Sequence, residues 1–250
     1  SPLTASTDDS TIAPGGARRR VLLTGATGFV GQAVLLALLE KADDVDVLAV
    51  VRAKQGEDPG VRLAALLEKP AFGAFVRERG TEAARAEFGR RVTAVPGDLS
   101  GLDADPAAVA QLRAAGPLAA AVHCASAVSF DLAIDEAFDT NVNGALGLYR
   151  ALAAAGVDPH VVHVSTAYVG GSARGLRTEG PLTHDIDWRI ESEWAVAARR
   201  AAELDSRSAE SLGKHLRRAT LVHGKEGPNA VAAAAEDARR TAVQERLVEE

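Results

Sequence analysis

The sequence predicts an α/β protein: a doubly wound parallel sheet with a helical C-terminal insertion. Three observations carry that expectation. Short segments apolar on both faces alternate with helical stretches, as strands covered by helices on two sides require. A glycine-rich turn joins the first of these segments to the first helix. Past residue 188 the strand pattern gives way to Ala, Glu and Arg at helical spacing.

Residues 1–18 hold Ser, Thr, Asp, Pro and Gly with almost nothing to bury, and read as a disordered tail or linker. Opening on Ser1 rather than Met, the chain looks like a segment of something longer. Val21-Leu22-Leu23 is a short buried strand, Gly25 to Gly31 the turn, and Gln32 to Lys41 an apolar helix. Val45 to Val51 forms a second strand ending at Arg52, and Val92 to Val95 a third ending in Pro96-Gly97-Asp98-Leu99. Ala119 to Ala125 and His160 to Ser165 complete five strands, with the Ala-rich helix Ile134 to Ala155 between them. Five strands alternating with helices over 19–170 make one doubly wound sheet domain. A Gly- and Pro-containing loop then leads to the helical stretch Trp188 to Glu250, so that 171–250 form a separate appendage whose charges read as a solvated face.

The composition, 47% hydrophobic and 25% charged over 250 residues, is that of an ordinary globular protein. A formal net charge of −6 supplies no basic field, so a nucleic-acid partner is not expected. The single cysteine, Cys124, excludes an internal disulfide and fits a reducing cytoplasm; no Cys/His spacing suggests a metal site. The longest apolar run, near Val34 to Leu39, is too short to cross a bilayer, which leaves only a peripheral membrane contact open. Oligomeric state is not legible.

The sharpest motif is Thr24-Gly25-Ala26-Thr27-Gly28-Phe29-Val30-Gly31, set between a strand and a helix. Gly25 allows the tight turn, Gly28 lets a pyrophosphate approach the backbone, and Gly31 permits close packing of the helix. The helix start then offers free N–H groups and the positive end of its dipole to phosphates. Two residues in each glycine gap resemble the extended short-chain dehydrogenase/reductase family, a Rossmann-type group, and the site implied is that of a dinucleotide. An acid at the end of the second strand would bond a ribose hydroxyl, whereas a cation accommodates a 2′-phosphate. Arg52, with Lys54 close behind, therefore points to NADPH rather than NADH. Asp98, followed by Leu99, resembles the family's Asp beside the adenine, although a turn or N-cap role fits the same residue. In Val122-His123-Cys124-Ala125-Ser126-Ala127 the resemblance places Ala125 against the cofactor, while His123 and Cys124 read as packed strand residues.

The same resemblance implies a catalytic hydroxyl at Ser165 or Thr166, after the fifth strand, where plain sequence would read a local turn. Asn141 and Asn143 look like the family's site-ordering helix asparagine; the sequence does not choose between them, and Asn143 joins the candidate catalytic set. The family's Tyr-x-x-x-Lys pair is not found. Tyr149 is followed four positions on by Ala153, and Tyr168 by Ser172.

His163 to Tyr168, the loop Gly170 to Gly175 with Glu179, and the Ala/Arg/Glu stretch ending in Gly224-Lys225-Glu226-Gly227-Pro228 narrow the resemblance to bacterial alcohol-forming fatty acyl-CoA reductases and thioester reductases. That implies reduction of an acyl-CoA or carrier-bound acyl thioester by NADPH to the aldehyde, with the sequence not choosing between aldehyde and alcohol as the final product. It also implies that 171–250 belong to an incomplete substrate region, and that the 250 residues alone bind nucleotide at best weakly and do not turn it over. A sugar-nucleotide epimerase or dehydratase, and a non-catalytic NADP-binding regulatory protein, are the alternatives from other classes.

Overall fold

The computed structural model describes residues 18–54, 56–129, 131–170, 175–176, 178–180 and 186–249. All but the last residue of the expected tail, and most of the glycine-rich loop after Gly170, lie outside the described residues.

Five parallel strands, β1 (Arg19–Thr24), β2 (Val45–Val51), β3 (Val92–Pro96), β4 (Ala120–His123) and β5 (His160–His163), lie in the order β3-β2-β1-β4-β5. Adjacent strand residues point to opposite faces, so each strand sorts its side chains into two cores. Leu23, Val47 and Ala49 join Phe72, Phe75 and Phe88 on one face. Leu22, Leu48, Val50 and Val95 join Leu112, Leu148 and Leu152 on the other. This two-sided burial is what the doubly apolar segments foretold for β1 and β2. β5 departs from it: it is an edge strand, and its residues are exposed on both faces.

The first core is covered by α1 (Phe29–Lys41) and by α2 (Pro59–Ala64), α3 (Gly73–Arg79) and α4 (Thr81–Arg91), a stretch whose helices the periodicity did not resolve. α1 begins at Phe29, three residues before the expected Gln32, because the Gly28 carbonyl already accepts from the Gln32 N–H at 2.9 Å. Its C-terminal end is held by a buried arginine. The Arg91 guanidinium donates to the carbonyls of Leu38 (2.9 Å), Leu39 (2.8 Å) and Ala42 (2.6 Å), to that of Val45 (3.1 Å) at the start of β2, and to Glu87 (3.0 Å). One side chain thus satisfies the carbonyls that a helix end leaves unpaired.

α5 (Pro106–Ala114) and α7 (Gly144–Ala155) cover the second core. The helix expected over Ile134 to Ala155 is divided: α6 (Ile134–Phe138) passes through a single wide π turn, Asp139–Asn143, before α7 starts. Such turns recur at functional sites. At Gly147 a Cβ would lie 1.9 Å from the Leu99 carbonyl oxygen, so glycine lets α7 seat directly on the segment after β3.

α8 (Trp188–Ser206), α9 (Ala209–His223) and α10 (Pro228–Glu249) form the appendage. It meets α6 through Ala133, Ala202, Val243 and Leu247, and through Arg199, which grips Asp135 at 2.7 and 3.0 Å and Glu136 at 2.7 Å. Arg239 is buried among Glu203, Glu236 and Ser206. These two arginines are exceptions to the solvated face expected of the appendage.

Candidate nucleotide-binding site

The order β3-β2-β1-β4-β5 reverses direction between β1 and β4, and ligands of such sheets bind outside the carboxyl ends of the strands at that point. A groove of about 370 Å³ lies there, lined from the glycine turn, from the exits of β2, β3 and β4, and from the π turn.

The glycine turn is fixed by close approach. Gly25 has φ +70°, and a Cβ on it would sit 2.7 Å from the Ala125 nitrogen, so the exits of β1 and β4 touch only because that side chain is missing. A Cβ on Gly31 would lie 2.0 Å from the Gly25 oxygen. Gly28 is different: its nitrogen donates to the Gly25 carbonyl at 2.8 Å, a Cβ would meet only that oxygen, at 3.2 Å, and the residue lines the groove. The space beside Gly28 therefore fits a pyrophosphate. The opening donors of α1, the N–H groups of Phe29, Val30 and Gly31, have no carbonyl one turn back. The Phe29 side chain points away, 94% exposed, and Val30 is also exposed. The Thr27 carbonyl accepts from the Gln32 side chain at 3.0 Å.

Beneath the turn runs a polar row. The hydroxyl of buried Thr24 lies 2.7 Å from His123 Nδ1 and accepts from the Ala125 N–H at 3.2 Å, tying β1 to the exit of β4. His123 is 2% exposed, and burial, with the neighbouring His163, lowers its pKa to about 4, so at neutral pH the ring that shares a hydrogen bond with the Thr24 hydroxyl is uncharged. His163 stacks edge-on against it at 4.8 Å and meets the Tyr149 hydroxyl at 2.6 Å. Burial pushes the Tyr149 hydroxyl upward, and it likewise pushes the Cys124 thiol, which lines the groove, away from the reactive thiolate.

Of the cofactor-side residues singled out from sequence, Gly25, Thr27, Gly28, Arg52, Lys54, Asp98, Leu99 and Ala125 line the groove together. Arg52 and Asp98 face each other at 3.9 Å, both largely in solvent, a contact of little strength in water. Asp98 makes no side-chain cap to the short helical turn that follows it. Arg62, on α2, is a third cation in the groove that sequence reading missed; it donates to the Arg52 carbonyl. Its signal was Asp58-Pro59, an N-cap and first-turn proline that announce a helix soon after Arg52.

Of the two asparagines, Asn141 holds the loop after β4: it accepts from the Ala127 N–H at 2.8 Å and donates to the Ala127 carbonyl at 3.1 Å. Asn143, half-buried on the same π turn, is not among the groove-lining residues. Neither are Ser165 and Thr166, which are exposed just beyond β5. The Thr166 hydroxyl accepts from the Tyr168 N–H at 3.2 Å, the local turn that plain sequence suggested. Asp139 and Thr140 line the groove from the π turn, and Gly144 from the start of α7.

Among the described residues no helix is long and apolar enough to cross a membrane.

The family profile described as Male sterility protein, an NAD-binding one, matches residues 23–223. Among curated proteins the chain is similar to the Probable fatty acyl-CoA reductase 5 of Arabidopsis thaliana, 29% identical over 168 residues, which are 66% of this chain and 34% of that protein. It is also similar to the Carboxylic acid reductase of Mycobacterium tuberculosis (strain ATCC 25618 / H37Rv), 32% identical over 162 residues, covering 63% of this chain and 13% of that one. Among solved structures, the terminal R domain from the myxalamid PKS-NRPS biosynthetic pathway has a similar fold, with a TM-score of 0.53 at 24% identity over 76% of this chain and 47% of that domain. The chain spans about a third of the length of the first curated relatives it matches.

Proposed function

Since the chain belongs to the Male sterility protein family of NAD-binding domains, we propose that it serves the NADPH-dependent reduction of acyl thioesters, a fatty acyl-CoA or an acyl chain on a carrier, in the cytoplasm. The sequence relatives named as fatty acyl-CoA and carboxylic acid reductases support the acyl substrate, and no such support favours a sugar nucleotide. The observation that carries the reading is the groove itself. Its glycine turn leaves room at Gly28, and Arg52, Lys54 and Arg62 gather at its β2 end.

In this reading the start of α1 and the backbone at Gly28 hold the pyrophosphate, and Asp98 and Leu99 flank the adenine. Arg52 and Arg62 present planar forks, and Lys54 a point charge, to the 2′-phosphate; the weak pair between Arg52 and Asp98 costs little to break. Bound there, NADPH supplies the hydride that converts the thioester carbon to an aldehyde with release of the thiol, and a second equivalent gives the alcohol. Asn141 and the Thr24–His123 bond keep the loop after β4, and with it Ala125, in place against that cofactor. Ser165 and Thr166 offer hydroxyls to the thioester oxygen; accepting from Tyr168 leaves the Thr166 proton free to be donated.

The test follows NADPH absorbance and thiol release together on addition of a long-chain acyl-CoA, first with these 250 residues and then with the product of the whole open reading frame that contains them. The 250 residues hold NADPH without consuming it, because neither tyrosine is followed by a lysine one helical turn on. The whole product releases thiol in step with NADPH loss. A whole product that binds NADPH but consumes none with any acyl thioester overturns the reading in favour of a nucleotide-binding regulatory protein.

A further inference from the structure

α8 carries two apolar faces, and the fold uses one. Ala195, Ala202 and Ser206 are buried toward α6 and α10. On the opposite side Ile190, Trp194, Ala197, Ala201 and Leu204 recur at intervals of four, three, four and three residues, the spacing of a coiled-coil seam. All five are exposed, Ile190 at 64% and Leu204 at 75%. An apolar stripe of that regularity, about 21 Å long at 1.5 Å per residue, is not the pattern of a solvent-facing helix.

We propose that this seam pairs, antiparallel, with the α8 seam of a second copy of the chain. Size decides the direction. Antiparallel pairing sets Ile190 against Ala201 and Trp194 against Ala197 of the second copy, a large side chain over a small one at each of these layers, and the two-fold axis repeats both contacts; Leu204 then lies at each end of the seam, opposite the N-cap Asp187 of the other helix. Parallel pairing stacks Trp194 on Trp194 and leaves gaps at the two alanine layers, which close packing penalises. Charge agrees. In the antiparallel register the flanking Glu193 of each copy lies beside Arg200 of the other, giving two equivalent pairs. Among the described residues neither Glu193 nor Arg200 has an ion partner within its own chain, whereas the adjacent Arg199 is fully engaged with Asp135 and Glu136. The pair a parallel dimer would use instead, Arg200 with Asp205, competes with Arg246, which already holds Asp205 at 3.0 Å. A seam this short belongs with small, weak interfaces, so the dimer forms in the micromolar range or above.

Sedimentation equilibrium on residues 1–250 from micromolar to millimolar concentration tests this. Wild type shows a monomer–dimer equilibrium, and Trp194→Glu stays monomeric. Glu193→Arg and Arg200→Glu each turn two attractive pairs into repulsive ones and weaken self-association by about tenfold or more. Mixed in equal amounts, the two single variants restore attraction at both pairs and dimerise with each other; the double variant Glu193→Arg/Arg200→Glu dimerises alone. All three positions changed are exposed, and circular dichroism verifies that helix content is kept. A wild type that remains monomeric throughout overturns the proposal. So does a dimer indifferent to Trp194→Glu, or single variants that fail to rescue one another while the wild type dimerises.

Discussion

Replacing Arg91 by Met should be among the most damaging single changes in the molecule, although the residue is far from the groove. The guanidinium is 2% exposed and bonds four backbone carbonyls together with Glu87. Methionine fills much of the volume but leaves the Leu38, Leu39, Ala42 and Val45 carbonyls without that donor and Glu87 with one partner fewer. Bonds from a charged group contribute about 1.5–3 kcal/mol each, and breaking a buried charged pair costs about 3–5 kcal/mol. Some relaxation and water entry offset the full sum, so a loss of about 3–5 kcal/mol is expected, a large part of a domain's total of roughly 5–15 kcal/mol. Urea unfolding at neutral pH measures it as a lowered midpoint at an unchanged slope. Arg91→Lys should recover only part, because one ammonium cannot point at acceptors spread around a planar fork. A shift below about 1 kcal/mol for Arg91→Met would refute the idea that this side chain caps α1 and anchors β2.

Gly28→Val should abolish nucleotide binding while circular dichroism stays near wild type, since the added side chain meets one carbonyl oxygen at the first carbon and otherwise fills groove space; retained binding would make the turn purely structural. Acid should destabilise the protein through His123. Its folded pKa is depressed to about 4, so as pH falls below about 6.5 the unfolded chain takes up a proton that the folded chain refuses, and stability drains until about pH 4. Linkage bounds that loss at about 3 kcal/mol. His123→Asn, which keeps a hydrogen-bonding group beside Thr24, should flatten this part of the profile, and parallel loss in both proteins between pH 6.5 and pH 4 would contradict the assignment.

Much of the scaffold was legible because its signals are local. The alternation of Leu22 and Leu23 between two cores, the glycine turn and the strand-ending Arg52 each depend on a few neighbouring residues and one rule of backbone geometry. What escaped depends on distant parts of the chain meeting. Arg62 reaches the groove because α2 folds back onto the Arg52 carbonyl, and Arg91 meets carbonyls about fifty residues earlier in the sequence. The choice between Asn141 and Asn143 rested on the π turn, which no composition announces: two residues apart, the two side chains face different ways around a helix. β5 read as a covered strand because Val161 and Val162 are as apolar as any core valine, yet edge position leaves each 41% exposed. Sequence reports what a residue could bury, and only the packed neighbours decide whether it does.

The most direct test of the cofactor site is calorimetric titration of NADPH and of NADH into residues 1–250 and into the single variants Arg52→Ala and Arg62→Ala. Wild type should bind NADPH more tightly than NADH. Each substitution should weaken NADPH by about tenfold or more, the worth of one charge-assisted contact partly screened by solvent, and leave NADH nearly unchanged. Equal affinity for the two cofactors in the wild type, or equal losses for both in the variants, would remove these cations from the 2′-phosphate and contradict the assignment of the groove to NADPH.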